Sequence, residues 1–145
     1  MPKKTNEQLN HAIRLGSYGE LLVQTFLSEY CSFVTPTCYG HPADLFIELG
    51  SALYKVQVKT RNVSKQGKYS FPIESHRNQS EIHRHYHCDL LCFVFMPDKR
   101  FIFIPNTTKQ NYYIFTKKHL EENCEYDSFI KSLETLSNVP VLESL

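Results

Sequence analysis

The sequence predicts an α/β or α+β fold in which helices flank a central mixed β-sheet, and three observations lead there. Near the N-terminus apolar residues recur at helical spacing, from Leu9 to Leu27. From Asp44 onward the period switches to two, and short apolar runs bounded by turn residues follow one another as far as Phe115. After Thr116 the helical spacing returns. A chain of 145 residues holds one core and is too short for two ordinary domains. With no internal repeat, low-complexity tract or linker, 1–145 reads as a single domain.

In order, the first helix begins at Thr5, which can cap it with Gln8 in capping-box spacing. Leu9, Ile13, Leu22, Val23, Phe26 and Leu27 carry its apolar stripe to about Tyr30. Thr35-Pro36-Thr37 and Tyr39-Gly40-His41-Pro42 read as a loop. Asp44–Leu49 and Leu53–Lys59, joined by Gly50-Ser51, read as a β-hairpin. Tyr69–Ile73 reads as a third strand after the turn Lys65-Gln66-Gly67-Lys68. The polar stretch Ser75–His87 reads as a short helix or loop. Leu90–Met96 and Phe101–Ile104 form a second hairpin across Pro97-Asp98-Lys99-Arg100, and Tyr112–Phe115 a further short strand. Thr116 can cap a helix, and Phe129, Ile130, Leu133 and Leu136 form the inner stripe of the last one, within an extension over 116–137. This order of elements supports a central mixed sheet.

The chain is 41% hydrophobic and 21% charged, the balance of a globular protein rather than a disordered one. No run approaches the roughly 20 apolar residues of a membrane span. Met1-Pro2-Lys3-Lys4 leads into no apolar segment of a signal peptide, so the expected compartment is the cytoplasm, with no membrane partner. Cys31, Cys38, Cys88, Cys92 and Cys124 show no CxxC spacing and read as reduced, mostly buried small hydrophobes. Net charge is only +1, but it is unevenly spread. Leu49–Ile73 has no acidic residue and carries Lys55, Lys59, Arg61, Lys65 and Lys68, while Glu121–Leu145 is strongly acidic. Such a distribution can orient a protein on a phosphate backbone.

Two features resist a purely structural reading. Glu20 stands on the stripe Ile13, Gly16, Glu20, Val23 and Leu27, with no basic residue a turn away to pair with. Gly16, mid-helix, costs roughly 1 kcal/mol against alanine and is expected to admit a close-packed strand. On the hairpin, Lys55, Gln57 and Lys59 share one face and Val56 and Val58 the other, while Asp44 opens the paired strand. Taken jointly, these residue types suit phosphodiester hydrolysis. Asp44 is a primary oxygen ligand for a hard cation such as Mg2+, the Gln57 side-chain carbonyl and the Val58 backbone carbonyl add neutral oxygens, and Glu20 contributes directly or through water. Lys59 would orient the attacking water or stabilise charge on the phosphate.

Gly16-x-x-x-Glu20, Pro42-Ala43-Asp44 and Gln57-Val58-Lys59 resemble the PD-(D/E)XK nuclease superfamily. More narrowly they are similar to its group I intron-encoded homing endonucleases of cyanobacterial type, in which Gln replaces the middle acid. Asp89–Phe95 and Phe101–Pro105 look like that group's later strands, so the resemblance spans roughly residues 12–105 of a core expected over about 7–105. It implies an α/β restriction-endonuclease-like core in the order αβββαβ. It also implies Mg2+ dependence (with Mn2+ able to substitute), no small-molecule cofactor, and double-strand DNA cleavage by a homodimer or homotetramer. Carried over by position, Asp44, Gln57 and Lys59 are the motif residues and Glu20 the helical acid.

Outside the motif, His76, Arg77, Asn78, Gln79 and Arg84 suit base reading in the major groove, where Arg favours guanine and Asn or Gln adenine. Together with Lys55, Arg61, Lys65 and Lys68 they form the expected DNA-binding set. His83, His85, His87 and Cys88 lack the second ligand pair of a structural zinc site. No P-loop, nucleophile elbow or HExxH motif is present. The rival readings are a Holliday-junction resolvase or restriction enzyme on the same core, a DNA-binding module whose nuclease site has decayed, and a protein-interaction domain. The segment Leu90–Ile104 and the C-terminal helices are the expected assembly surfaces.

Overall fold

A computed structural model describes residues 5–38, 41–62, 65–72, 88–107, 110 and 112–137. Helix α1 (Asn6–Tyr30) opens with the expected capping box: the Gln8 N–H donates to Thr5 Oγ1 at 3.2 Å and the Thr5 N–H to Gln8 Oε1 at 2.9 Å. Strands β1 (Phe33–Pro36), β2 (Leu45–Leu49) and β3 (Ala52–Arg61) form an antiparallel meander. Gly50, with φ +63°, opens the two-residue β2–β3 turn, a left-handed conformation that glycine adopts without steric cost. β4 (Lys68–Pro72) is followed by β5 (Leu90–Phe95), β6 (Arg100–Pro105) and β7 (Tyr112–Thr116). Helices α2 (Lys117–Glu122) and α3 (Glu125–Ser137) end the described chain.

The main sheet has the order β1-β2-β3-β5-β6. Only β3 and β5 run parallel, Val56 to Arg61 facing Leu90 to Phe95, so the sheet is mixed and helices flank it. One face receives α1 and α3. Val23, Leu27, Phe129 and Leu133 pack there on Leu45, Ile47, Val56, Leu90 and Val94, all completely buried. On the other face Leu91, Phe93 and Phe95 lie beneath a second, two-stranded sheet of β4 and β7. Tyr69, Phe71, Tyr113 and Phe115 point inward from it, with Phe71 and Phe93 ring centroids 4.8 Å apart.

Several expectations are corrected. The strand expected at Tyr69–Ile73 forms but pairs with β7, not with the hairpin. The third neighbour of the meander is β1, from the segment read as a loop; its Phe33 faces Glu48 and its Pro36 faces Leu45. Leu9 and Ile13, placed on the buried stripe, are 46% and 66% exposed, because α1 meets the sheet only from Gly19 onward and its first turns overhang it. All six residues of β5 are buried at the centre of the sheet, so this strand is no assembly surface. Cys88 and Cys92 are buried, but Cys38 and Cys124 are exposed. The polar stretch Ser75–His87 lies outside the described residues. Among those described, no helix is long and apolar enough to cross a membrane.

Candidate active site

β2 begins only at Leu45, opposite Val56, whereas β3 runs on to Arg61, leaving the β2-side edge of β3 open past Val56. Asp44 stands at the mouth of this notch. Its N–H donates to the Val56 carbonyl at 2.9 Å, the last backbone bond between the two strands, and its own carbonyl accepts from the Thr37 N–H at 3.0 Å. The preceding bend is tied as well, since Thr37 Oγ1 donates to the Ala43 carbonyl at 2.6 Å and the Ala43 N–H to His41 Nδ1 at 3.0 Å. With its backbone held, Asp44 turns its carboxylate along the open edge, where Oδ2 accepts the Val58 N–H at 2.7 Å. A residue's N–H and C=O point to the same side of a strand. The Val58 carbonyl therefore opens onto the edge that Asp44 occupies.

Helix α1 closes the notch. A Cβ on Gly19 would collide with Thr60 Oγ1 and lie 3.1 Å from Thr60 Cβ, so glycine permits helix and strand to touch here. Around Gly16, expected to be the close-approach position, there is open space. The contact at Gly19 delivers the next residue, Glu20, to Asp44, and the two side chains share a hydrogen bond. Burial, the Asp44 charge and that hydrogen bond push the Glu20 carboxyl from 4.5 up to about 7. Burial also raises Asp44, against the lowering effects of the Val58 N–H, the Lys59 ammonium, Glu20 and His41. The shared proton belongs on Glu20, because Asp44 has the Val58 N–H and the Lys59 ammonium to hold its charge.

Lys59 thus lies within electrostatic reach of Asp44, while Gln57 has a different setting. Gln57, expected to offer its amide oxygen to a cation, is 9% exposed, and its Oε1 accepts from the Cys88 thiol at 3.9 Å. Asn106 Nδ2 donates to the Cys88 carbonyl at 3.0 Å, tying the end of β6 to the start of β5 beneath Gln57. Of the expected DNA-binding set, Lys55, Arg61, Lys65 and Lys68 are exposed. Arg61 Nε also donates to the Ser70 carbonyl at 3.1 Å, binding β4 to the end of β3. His76, Arg77, Asn78, Gln79 and Arg84 lie outside the described residues, as do His83, His85 and His87.

Sequence reasoning missed His41, Gly19, Thr60 and Asn106. Only Gly19 had a usable signal, a second mid-helix glycine in register with Val23 and Leu27. Among the described residues no three His, Cys, Asp or Glu side chains converge; the acidic centre is the pair Glu20 and Asp44. Two hydrogen-bonded carboxyls, beside a strand-edge carbonyl, form an all-oxygen donor set that fits a hard divalent cation.

Fold and site together describe a mixed α/β domain with a carboxylate pair and a lysine where α1 meets the edge of β3. Among solved structures the chain is similar to a bacterial homing endonuclease, I-Ssp6803I, with a TM-score of 0.58 and 16% identity over 70% of this chain and 76% of that one. At that identity the likeness is one of fold. No protein-family profile matches the chain, and no curated protein does.

Proposed function

We propose that the chain is a metal-dependent DNA endonuclease of the PD-(D/E)XK kind that hydrolyses phosphodiester bonds of duplex DNA with Mg2+, and that it serves as an intron-encoded homing endonuclease. The observation that carries this reading is the proton-sharing pair Glu20–Asp44 within reach of Lys59, on a fold similar to that of a homing endonuclease.

Asp44 and the Val58 carbonyl would hold the cation from the strand edge, Glu20 from the helix, and Gln57 with its neutral amide oxygen. The ion would supply Lewis-acid polarisation of the scissile phosphate and acidify a water molecule. The protein's own part is positional and electrostatic. The Val58 N–H fixes Asp44, Glu20 would give up its proton when a cation binds, and Lys59 would orient the water or balance charge developing on the phosphate.

Supercoiled plasmid carrying a target selected from randomised duplex DNA provides the test. Wild-type protein is expected to nick and linearise it with Mg2+ or Mn2+ and only to bind it with Ca2+. Asp44→Ala and Lys59→Ala should each slow cleavage by about 10²–10⁴. Equal inactivity of wild type and both variants would instead mark a DNA-binding module with a decayed site. Faster cutting of four-way junctions than of linear duplex would assign a resolvase.

A further inference from the structure

The β4–β7 sheet has an outer face that the core does not use. Tyr69, Phe71, Tyr113 and Phe115 point inward, so Lys68, Ser70, Tyr112 and Ile114 point outward, with Tyr112 and Ile114 53% and 51% exposed. The register sets Ser70 opposite Ile114 and Lys68 opposite Thr116. Both strands come from stretches with no carboxylate, Leu49–Ile73 and Lys99–Leu120, which the fold brings side by side. Lys65 and Lys68 at the start of β4, and Lys117 and Lys118 just after β7, place exposed ammonium groups at one end of this ribbon. Lys118 pairs with Glu122 at 3.7 Å, but both side chains are well exposed, and water and salt screen such a pair. The ribbon also adjoins the candidate active site. Arg61 ties it to β3 two residues beyond Lys59, and Phe71 packs at a tilt against Phe93, the register partner of Lys59.

We propose that the β4–β7 ribbon is the element that enters the major groove of the DNA, with Tyr112 and Ile114 against thymine methyl groups and the flanking lysines on phosphates. The inference rests on the nuclease reading above. The major groove, about 12 Å wide, admits a two-stranded ribbon, and the thymine methyl is its apolar mark. Side chains two residues apart on one strand stand roughly 7 Å apart, close to two steps of about 3.4 Å along the DNA axis. Tyr112 and Ile114 therefore address positions about two base pairs apart. The strands themselves carry no carboxylate for phosphates to repel, the nearby Asp98 acting on the inward-facing Tyr69, and the lysines supply the salt-dependent part of the affinity.

The test starts from a duplex selected by wild-type protein with Ca2+, in which uracil then replaces each thymine in turn. Loss of the methyl at one or two positions is expected to weaken wild-type binding several-fold. Ile114→Ala or Tyr112→Ala protein should bind thymine and uracil versions of those positions equally. Lys68→Ala should lower the slope of log affinity against log salt by about 1. The proposal is overturned if every thymine tolerates uracil while the variants keep the wild-type site preference and salt slope. It is equally overturned if Tyr112→Ala or Ile114→Ala turns an oligomer into monomers with unchanged DNA preference, which would make this face a contact between copies. Wild-type protein that still cuts DNA under either outcome leaves the nuclease reading standing; wild-type protein that selects no DNA at all removes both.

Discussion

Glu20, with its carboxyl raised to about 7 beside Asp44, ties cation binding to pH. A cation accepted by the pair must displace the proton they share. Mg2+ affinity is therefore expected to rise with pH up to about 7 and level off above it. Titration calorimetry at pH 6 in buffers of different ionisation heat should register close to one proton released per ion for wild type and none for Glu20→Gln. The same shift carries a sign for stability. Below the ordinary value of 4.5 both folded and unfolded chains hold the Glu20 proton. Between there and about 7 the folded chain binds more protons than the unfolded one, so stability falls as pH rises. Glu20→Gln should remove this slope from urea unfolding curves recorded across that window, and a slope equal to wild type would place the shared proton elsewhere.

For the elements, the decisive contact is α1 on β3 at Gly19 and Thr60. Alanine in a helix gains up to about 1 kcal/mol over glycine, whereas overpacking costs about 1–3 kcal/mol. At Gly16 the space is open and the first effect acts alone; at Gly19 a methyl meets the Thr60 side chain, so the second prevails. Gly16→Ala should thus raise the denaturation midpoint and Gly19→Ala lower it, with loss of DNA cleavage as Glu20 is pushed from Asp44. Thr60→Ala clears the hydroxyl and methyl, and in the double variant should restore most of both losses. The buried Thr60 hydroxyl has no hydrogen-bond partner among the described residues, so its removal sacrifices no bond there. Independent, additive effects in this cycle would contradict the contact. The sequence showed a mid-helix glycine but not which glycine, because helical spacing alone does not tell where a helix leaves its sheet. β1 was hidden for a similar reason. Its four residues have no clean alternation and end in Pro36, and they are a strand because β2 pairs with them.

For the whole molecule, local pattern reached the mixed sheet, since period and turns are properties of neighbouring residues, whereas Glu20, Asp44 and Lys59 were grouped by their chemistry and by the motif they resemble. Local pattern did not reach the partner of β4, which lies 40 to 48 residues away in β7, nor the burial of Gln57, which depends on Cys88 and Asn106 across β5 and β6. Assembly is also invisible to local pattern, and the site itself constrains it. Among the described residues there is one Glu20–Asp44 pair per chain, and a single such site reaches one scissile phosphate at a time. Under the proposed duplex cleavage, cutting both strands calls for two subunits related by a two-fold axis. Co-expression of wild type with an Asp44→Asn chain tests this directly. In a stable dimer or tetramer, mixed pairs at the target hold one working site and should leave nicked circles that do not proceed to linear DNA. The nicked fraction should follow the binomial share of mixed pairs as the subunit ratio is varied. If single chains cut independently, dilution with the inactive chain only slows the reaction and all plasmid eventually becomes linear, an outcome incompatible with paired subunits.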